Sequence, residues 1–155
     1  MKKLFFVIII AASFLTSQNA CGQQVSTKNY NLKNGVAVQG YDPVAYFTDK
    51  GATEGKKEIQ TEYNGVTYYF YSEENKRLFL TTPIKYEPAY GGYCAYAMAF
   101  GDKVKIDPKT FEIKNGRLFL FYNFKSNNTL LDWNKDEAKL FKDAEREWLK
   151  LIADH

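Results

Sequence analysis

The sequence predicts an α+β fold, a small antiparallel sheet built from two hairpins with a short helix and a C-terminal amphipathic helix packed on it. Three observations carry that expectation. Asn64-Gly65 and Asn115-Gly116 each sit between runs of β-forming residues, Ser72-Glu73-Glu74 opens a helix after the first pair of runs, and apolar residues recur at helical spacing from Leu140 to Ile152.

Asn-Gly marks a hairpin because the two-residue turn that suits twisted strands needs positive φ at both central positions. The first hairpin then takes Glu58–Tyr63 and Val66–Tyr71, and the second takes Thr110–Lys114 and Arg117–Tyr122. Alternation sets Val66, Tyr68 and Phe70 on one face, with Tyr69 and Tyr71 on the other. In the second hairpin Leu118, Leu120 and Tyr122 oppose Phe119 and Phe121, so both faces carry apolar side chains and both are expected to be covered.

Ser72 suits an N-cap, and Glu73 and Glu74 place carboxylates at the positive end of a helix running to about Thr81, before Pro83, with Leu78 and Phe79 facing inward. Asn134 with Glu137 reads as a capping box for the last helix. Its stripe of Leu140, Phe141, Ala144, Trp148, Leu151 and Ile152 is expected to dock on the core. Upstream, Gly40-Tyr41-Asp42-Pro43 is a turn and Val44-Ala45-Tyr46-Phe47 a short strand.

A chain of 155 residues fits one domain, and 45% apolar with 17% aromatic residues is a composition that folds. The expected organisation is a signal peptide over 1–22, a flexible arm over 23–35 and the folded domain over 36–153. Of the net charge of +3, two units come from Lys2 and Lys3 in the segment expected to be removed. Acids and bases are interleaved elsewhere, as in Lys135-Asp136-Glu137, which excludes the clustered basic surface that nucleic acid requires.

Met1-Lys2-Lys3 followed by the apolar run Leu4 to Leu15 has the form of a secretory signal, so the protein is expected to be exported, periplasmic or secreted. A membrane span needs about 20 apolar residues, and Thr16-Ser17-Gln18-Asn19 arrives too soon. Cleavage after Gly22 leaves a soluble chain and is the favoured reading. Lipidation of Cys21 is the alternative, with Gln18 at the position where a lipobox carries an aliphatic residue, and a cut after Ala20 is weaker.

Once Cys21 is removed or acylated, Cys94 is the one remaining thiol and no internal disulfide can form. The glycines of Gly91-Gly92-Tyr93-Cys94-Ala95-Tyr96 allow close approach of another group to that thiol, whereas a buried Cys94 under a tight turn would be a small apolar filler. His155 is the single histidine, which removes imidazole catalysis and imidazole metal sites from the ordinary options. Oxygen ligands could come from Asp42, Glu87, Asp102 or Asp107, without a calcium-loop spacing. No phosphate loop, dinucleotide fingerprint or nucleophile elbow occurs, and no cofactor is identified. Ten tyrosines from Tyr41 to Tyr96 could line an aromatic pocket or serve as core residues with hydroxyls at the rim.

The strings Gly40-Tyr41-Asp42-Pro43-Val44-Ala45-Tyr46-Phe47, Tyr63-Asn64-Gly65-Val66-Thr67-Tyr68-Tyr69-Phe70, Pro83-Ile84-Lys85-Tyr86 and Tyr90-Gly91-Gly92-Tyr93-Cys94-Ala95-Tyr96-Ala97 resemble a YHS domain, over roughly Gly40 to Leu149. The resemblance is to the exported members of that family. It implies the fold and an association with metal handling through cysteines, but Ala45, Tyr71 and Asn75 stand where metal-type members carry cysteine. A soft-metal site needs three or four such ligands.

The leading expectation is a non-enzymatic envelope module binding a small ligand at Tyr41, Asp42, Tyr93, Cys94 and Tyr96. Alternatives are a metal ion on Cys94 with oxygen donors, a redox or nucleophilic enzyme using Cys94 alone, and a structural protein binding an envelope partner.

Overall fold

The computed structural model describes residues 26–48 and 51–153. After a single helical turn at Thr27–Asn29, strands β1 (Leu32–Lys33) and β2 (Val36–Ala37) form a tight pair, and α1 (Ala45–Thr48) follows the Tyr41–Pro43 turn. The first long hairpin is β3 (Lys56–Tyr63) with β4 (Val66–Phe70), succeeded by α2 (Glu73–Thr81), α3 (Pro83–Tyr86), a single turn at Ala89–Gly92 and α4 (Ala95–Met98). The second is β5 (Asp107–Lys114) with β6 (Arg117–Phe121). A small pair, β7 (Asn123–Phe124) and β8 (Asn127–Asn128), leads into α5 (Thr129–Trp133) and α6 (Glu137–Ala153).

Both Asn-Gly steps form the turns expected of them: φ is 52° and 76° at Asn64 and Gly65, and 51° and 73° at Asn115 and Gly116. Tyr63 pairs with Val66 and Lys114 with Arg117. The fold is α+β as expected, but the hairpins do not share a sheet. The first belongs to a four-stranded sheet of order β1-β2-β4-β3, in which β2 runs parallel to β4. The second stands as a two-stranded ribbon. The remaining edge of β6 is occupied by the loop chain, where Pro88 bridges Leu118 and Cys94 bridges Leu120. That loop fills the edge the first hairpin would otherwise have needed.

Period-two alternation in β6 divides the core. Leu118 and Leu120 join Val44, Tyr46, Val66, Tyr68, Phe70, Phe79, Cys94 and Ile106 in one cluster. Phe119 and Phe121 point the other way, into Ala95, Met98, Trp133, Leu140 and Ala144. The second hairpin is therefore covered on both faces. Leu140 and Ala144 are the buried members of the α6 stripe, and Phe141, Trp148 and Leu151 are half-buried against the same cluster. Each fully buried large apolar side chain contributes about 1.5–3 kcal/mol.

Three local expectations change. Where a strand over 44–47 is expected, Ala45–Thr48 form a short helix, because the Asp42 carboxylate caps it: Val44 N–H and Ala45 N–H donate to Oδ1 at 2.8 and 3.2 Å. Asn134 closes α5 instead of capping α6, with its N–H donating to Leu130 O, while Leu140 N–H donates to Asp136 O and makes Asp136 the residue before the last helix. Asn128 caps α5 through its side chain on Leu130 N–H. Finally, the expected arm is attached from Thr27 onward: Asn29 and Tyr30 are buried and β1 pairs with β2. The remainder of the arm, the signal segment and Cys21 lie outside the described residues.

Candidate functional site

Asp42 is fully buried, and its two oxygens take four N–H donors. Besides the helix-capping pair on Oδ1, Oδ2 accepts from Tyr71 N–H at 2.7 Å and from Asn75 Nδ2 at 2.8 Å. One carboxylate thus ties the turn after β2, the end of β4 and the first turn of α2 together. Hydrogen bonds to a charged acceptor are worth about 1.5–3 kcal/mol each, so the network is strong and leaves no oxygen facing a ligand. Tyr41 beside it is half-buried and donates to Glu54 Oε1 at 3.2 Å.

The Gly91-Gly92 step has a role different from the one its sequence suggests. Tyr90, Gly91 and Gly92 all have positive φ, and a Cβ on Gly91 would stand 2.0 Å from Asn29 O. The close approach that glycine permits is made by the chain at 29–31: Asn31 N–H donates to Gly91 O at 2.8 Å and Asn31 Nδ2 to Gly92 O at 2.9 Å. Tyr93 turns toward the same segment, donating to Tyr30 O at 3.2 Å.

Cys94 points away from Tyr93 into the first cluster and is fully buried. Its Sγ lies 3.4 Å from Thr129 Oγ1 and accepts a weak bond from Tyr122 N–H at 3.4 Å. Thr129 Oγ1 in turn donates to Tyr122 O at 3.0 Å and accepts from Tyr122 N–H at 3.1 Å. The backbone places the thiol: Cys94 N–H donates to Val104 O, and Met98 N–H donates to Cys94 O at the start of α4.

A cavity of about 260 Å³ has Cys94 and Thr129, both buried, among its lining residues. Tyr96, Phe100 and Tyr122 are among its walls, and exposed Asp102 stands at its rim. Tyr96 and Phe100 meet edge to face at 5.3 Å, and Phe100 is 60% exposed despite its size. Of the five residues expected to form a site, the cavity collects Cys94 and Tyr96. Tyr41, Asp42 and Tyr93 face other parts of the fold. Thr129, Tyr122 and Phe100 carried no signal in the sequence that linked them to Cys94.

Most of the buried tyrosines are tied within the domain. Tyr46 donates to Pro108 O at 2.8 Å, Tyr30 and Tyr68 both donate to Glu87 Oε1 at 3.0 Å, and Tyr90 donates to Glu145 Oε1 at 2.8 Å. Burial raises all four phenols far above the ordinary value, reinforced by Glu87 at Tyr30 and Tyr68 and by Glu145 at Tyr90. They are structural donors, unsuited to acid–base work near neutral pH.

The architecture and the site define a small α+β domain with an aromatic-walled cavity over a buried thiol. Residues 44–90 match the YHS domain family, a stretch that begins just ahead of α1 and ends at Tyr90, inside the Ala89–Gly92 turn and short of Cys94. No curated protein and no solved structure matches the chain. A metal held as that family's resemblance implies does not fit these residues. Ala45, Tyr71 and Asn75 do converge, but on Asp42, through two backbone N–H groups and one amide. Among the described residues no three His, Cys, Asp or Glu side chains come together, and no helix is long and apolar enough to cross a membrane.

Proposed function

We propose that the protein is an exported, non-enzymatic binding module of the cell envelope that takes a small, largely apolar ligand in the cavity over Cys94. The observation that carries this reading is the concave aromatic wall of Tyr96, Phe100 and Tyr122 above the Cys94–Thr129 pair, a few polar groups on an apolar surface. Export rests on the Lys2-Lys3 and Leu4–Leu15 signal pattern. A lone-cysteine nucleophile would need an exposed sulfur beside a base, whereas Sγ here meets a hydroxyl and an amide. A soft metal would need further thiolate or imidazole ligands.

Native mass spectrometry of the mature protein purified from its own envelope, combined with elemental analysis, tests the reading. The expected result is an added organic mass that Ala97→Phe, which fills the cavity, removes while circular dichroism stays unchanged. A bare polypeptide mass, or a metal that survives the substitution, overturns it. Thiol labelling gives a second check: Cys94 should react slowly in native protein and fast in denaturant.

A further inference from the structure

We propose that the cleft between the tip of the second hairpin and the first two turns of α6 binds a small amphipathic anion, an apolar body carrying one carboxylate head. This cleft has a volume of about 370 Å³ and shares no lining residue with the Cys94 cavity. Ligand pockets commonly span about 300–1,000 Å³. It therefore stands or falls separately from the function proposed above.

The floor is aromatic. Phe141 of α6 is half-buried and meets Phe119 of β6, buried beneath it, edge to face at 6.0 Å, and Ala138, one turn earlier on the helix, leaves room above them. Residues 138, 141 and 142 lie within one turn of one another, so the helix presents Phe141 to the floor and Lys142 to the rim on the same side. Across the gap, the strands supply Lys114 and Arg117.

The rim is cationic, three bases against the single carboxylate of Glu137. Two of those bases are engaged. Lys114 pairs with Glu137, bridging strand to helix, and Arg117 pairs with Glu145 at 2.9 Å while its guanidinium lies 5.2 Å from the Phe119 ring and 5.8 Å from the Phe141 ring. Lys142 is exposed and makes no ion pair among the described residues.

This combination selects ligand chemistry by exclusion. A cationic ligand would meet the uncompensated charge of Lys142, an inorganic anion would leave the exposed part of Phe141 wetted, and a neutral hydrocarbon would gain nothing from Lys142. An apolar body on Phe119 and Phe141 with a carboxylate reaching Lys142 uses every feature of the cleft. The floor supplies area removed from water and the rim supplies orientation.

Decanoate, kept below its micelle-forming concentration, is the probe, titrated into mature protein by isothermal calorimetry beside decanol and acetate. The expected result is saturable one-to-one decanoate binding, with acetate weaker by about fivefold or more, decanol weaker by about twofold to fivefold, and Lys142→Glu weakening decanoate by at least ~twofold. Lys142 is solvent-exposed, so its substitution leaves the fold intact, and Ala138→Phe, which fills the cleft, should abolish binding without changing the unfolding midpoint. Equal affinity for decanol, an unchanged affinity in Lys142→Glu, or no saturable binding overturns the proposal. So does binding lost on Ala97→Phe, which would place decanoate over Cys94.

Discussion

Replacing Asp42 by Asn tests whether one buried carboxylate holds three elements together. The substitution is nearly isosteric, so its effect is a matter of donors and acceptors alone. In the native protein Oδ1 faces Val44 and Ala45 N–H, and Oδ2 faces Tyr71 N–H and Asn75 Nδ2. An asparagine must turn its NH₂ toward one of these pairs. If it faces the capping pair, two backbone donors are stranded at the start of α1. If it faces the other pair, Asn75 can rotate its amide and offer its oxygen, which leaves Tyr71 N–H opposed by a donor. The second arrangement costs less. It strands one donor, at about 1–3 kcal/mol, and turns the remaining charge-assisted bonds into neutral ones worth about 1 kcal/mol less each. With three such bonds remaining, the expected loss is ~4–6 kcal/mol. Urea unfolding followed by circular dichroism should show the midpoint falling with an unchanged m-value. A loss below about 1 kcal/mol would refute the idea that the network, rather than the surrounding apolar cluster, fixes the turn.

Gly91→Ala should cost at least about 3 kcal/mol, since αL backbone is unfavourable for alanine and the new Cβ would meet Asn29 O at 2.0 Å. Gly116→Ala, with nothing within 4 Å, should cost only the ~1 kcal/mol of its positive φ; equal costs in urea unfolding would contradict the packing argument. The raised phenols of Tyr30, Tyr46, Tyr68 and Tyr90 mean that the native state holds protons the unfolded chain releases above its ordinary value of 10.0. Their stabilisation is complete below that pH and lost above it. Phenolate absorbance for these four should rise together with loss of structure, and their early, independent titration would count against the burial described. Glu112 is raised first by burial and then by Glu137, and its buried Oε2 has no hydrogen-bond partner among the described residues. Its folded form favours the proton, so stability should decline as pH rises through the window above 4.5, and Glu112→Gln should flatten that decline in thermal melts.

Local chemistry was legible where neighbours in sequence decide the structure. Both Asn-Gly turns, the Ser72 cap, whose Oγ accepts from Asn75 N–H at 3.1 Å, and the α6 stripe follow from residues a few positions apart. The misread segments are those settled by distant partners or by a cap outside the pattern. Val44-Ala45-Tyr46-Phe47 has the composition of a strand, but the Asp42 side chain starts a helix there and Oδ2 carries the connection 29 and 33 residues on, to Tyr71 and Asn75. The Gly-Gly step announced a close approach without naming what approaches. Cys94 was visible as an isolated thiol, yet its surroundings come from Tyr122 and Thr129, 28 and 35 residues later, with no spacing rule to connect them.

If both cavities bind as proposed, they rely on different physical forces, and ionic strength separates them. In the cavity beside Cys94 the walls include Tyr96, Phe100 and Tyr122, with Asp102 as the one charged lining residue. Affinity there should come from area removed from water, a term that added salt leaves nearly constant or strengthens slightly. At the hairpin–α6 cleft the head group is held by Lys142 at an exposed rim, flanked by Lys114 and Arg117. Pairs of that kind are worth about 0.2–1 kcal/mol, and raising salt from ~0.01 to ~0.15 M contracts the screening length from about 30 to about 8 Å. Decanoate affinity should therefore fall by about twofold to fivefold over that range, while the endogenous ligand over Cys94 stays bound. If decanoate binding ignores salt, the cationic rim contributes nothing and only the aromatic floor is in use. If the endogenous ligand is released by salt, its recognition rests on charge, and the apolar walls of Tyr96 and Phe100 are not what holds it.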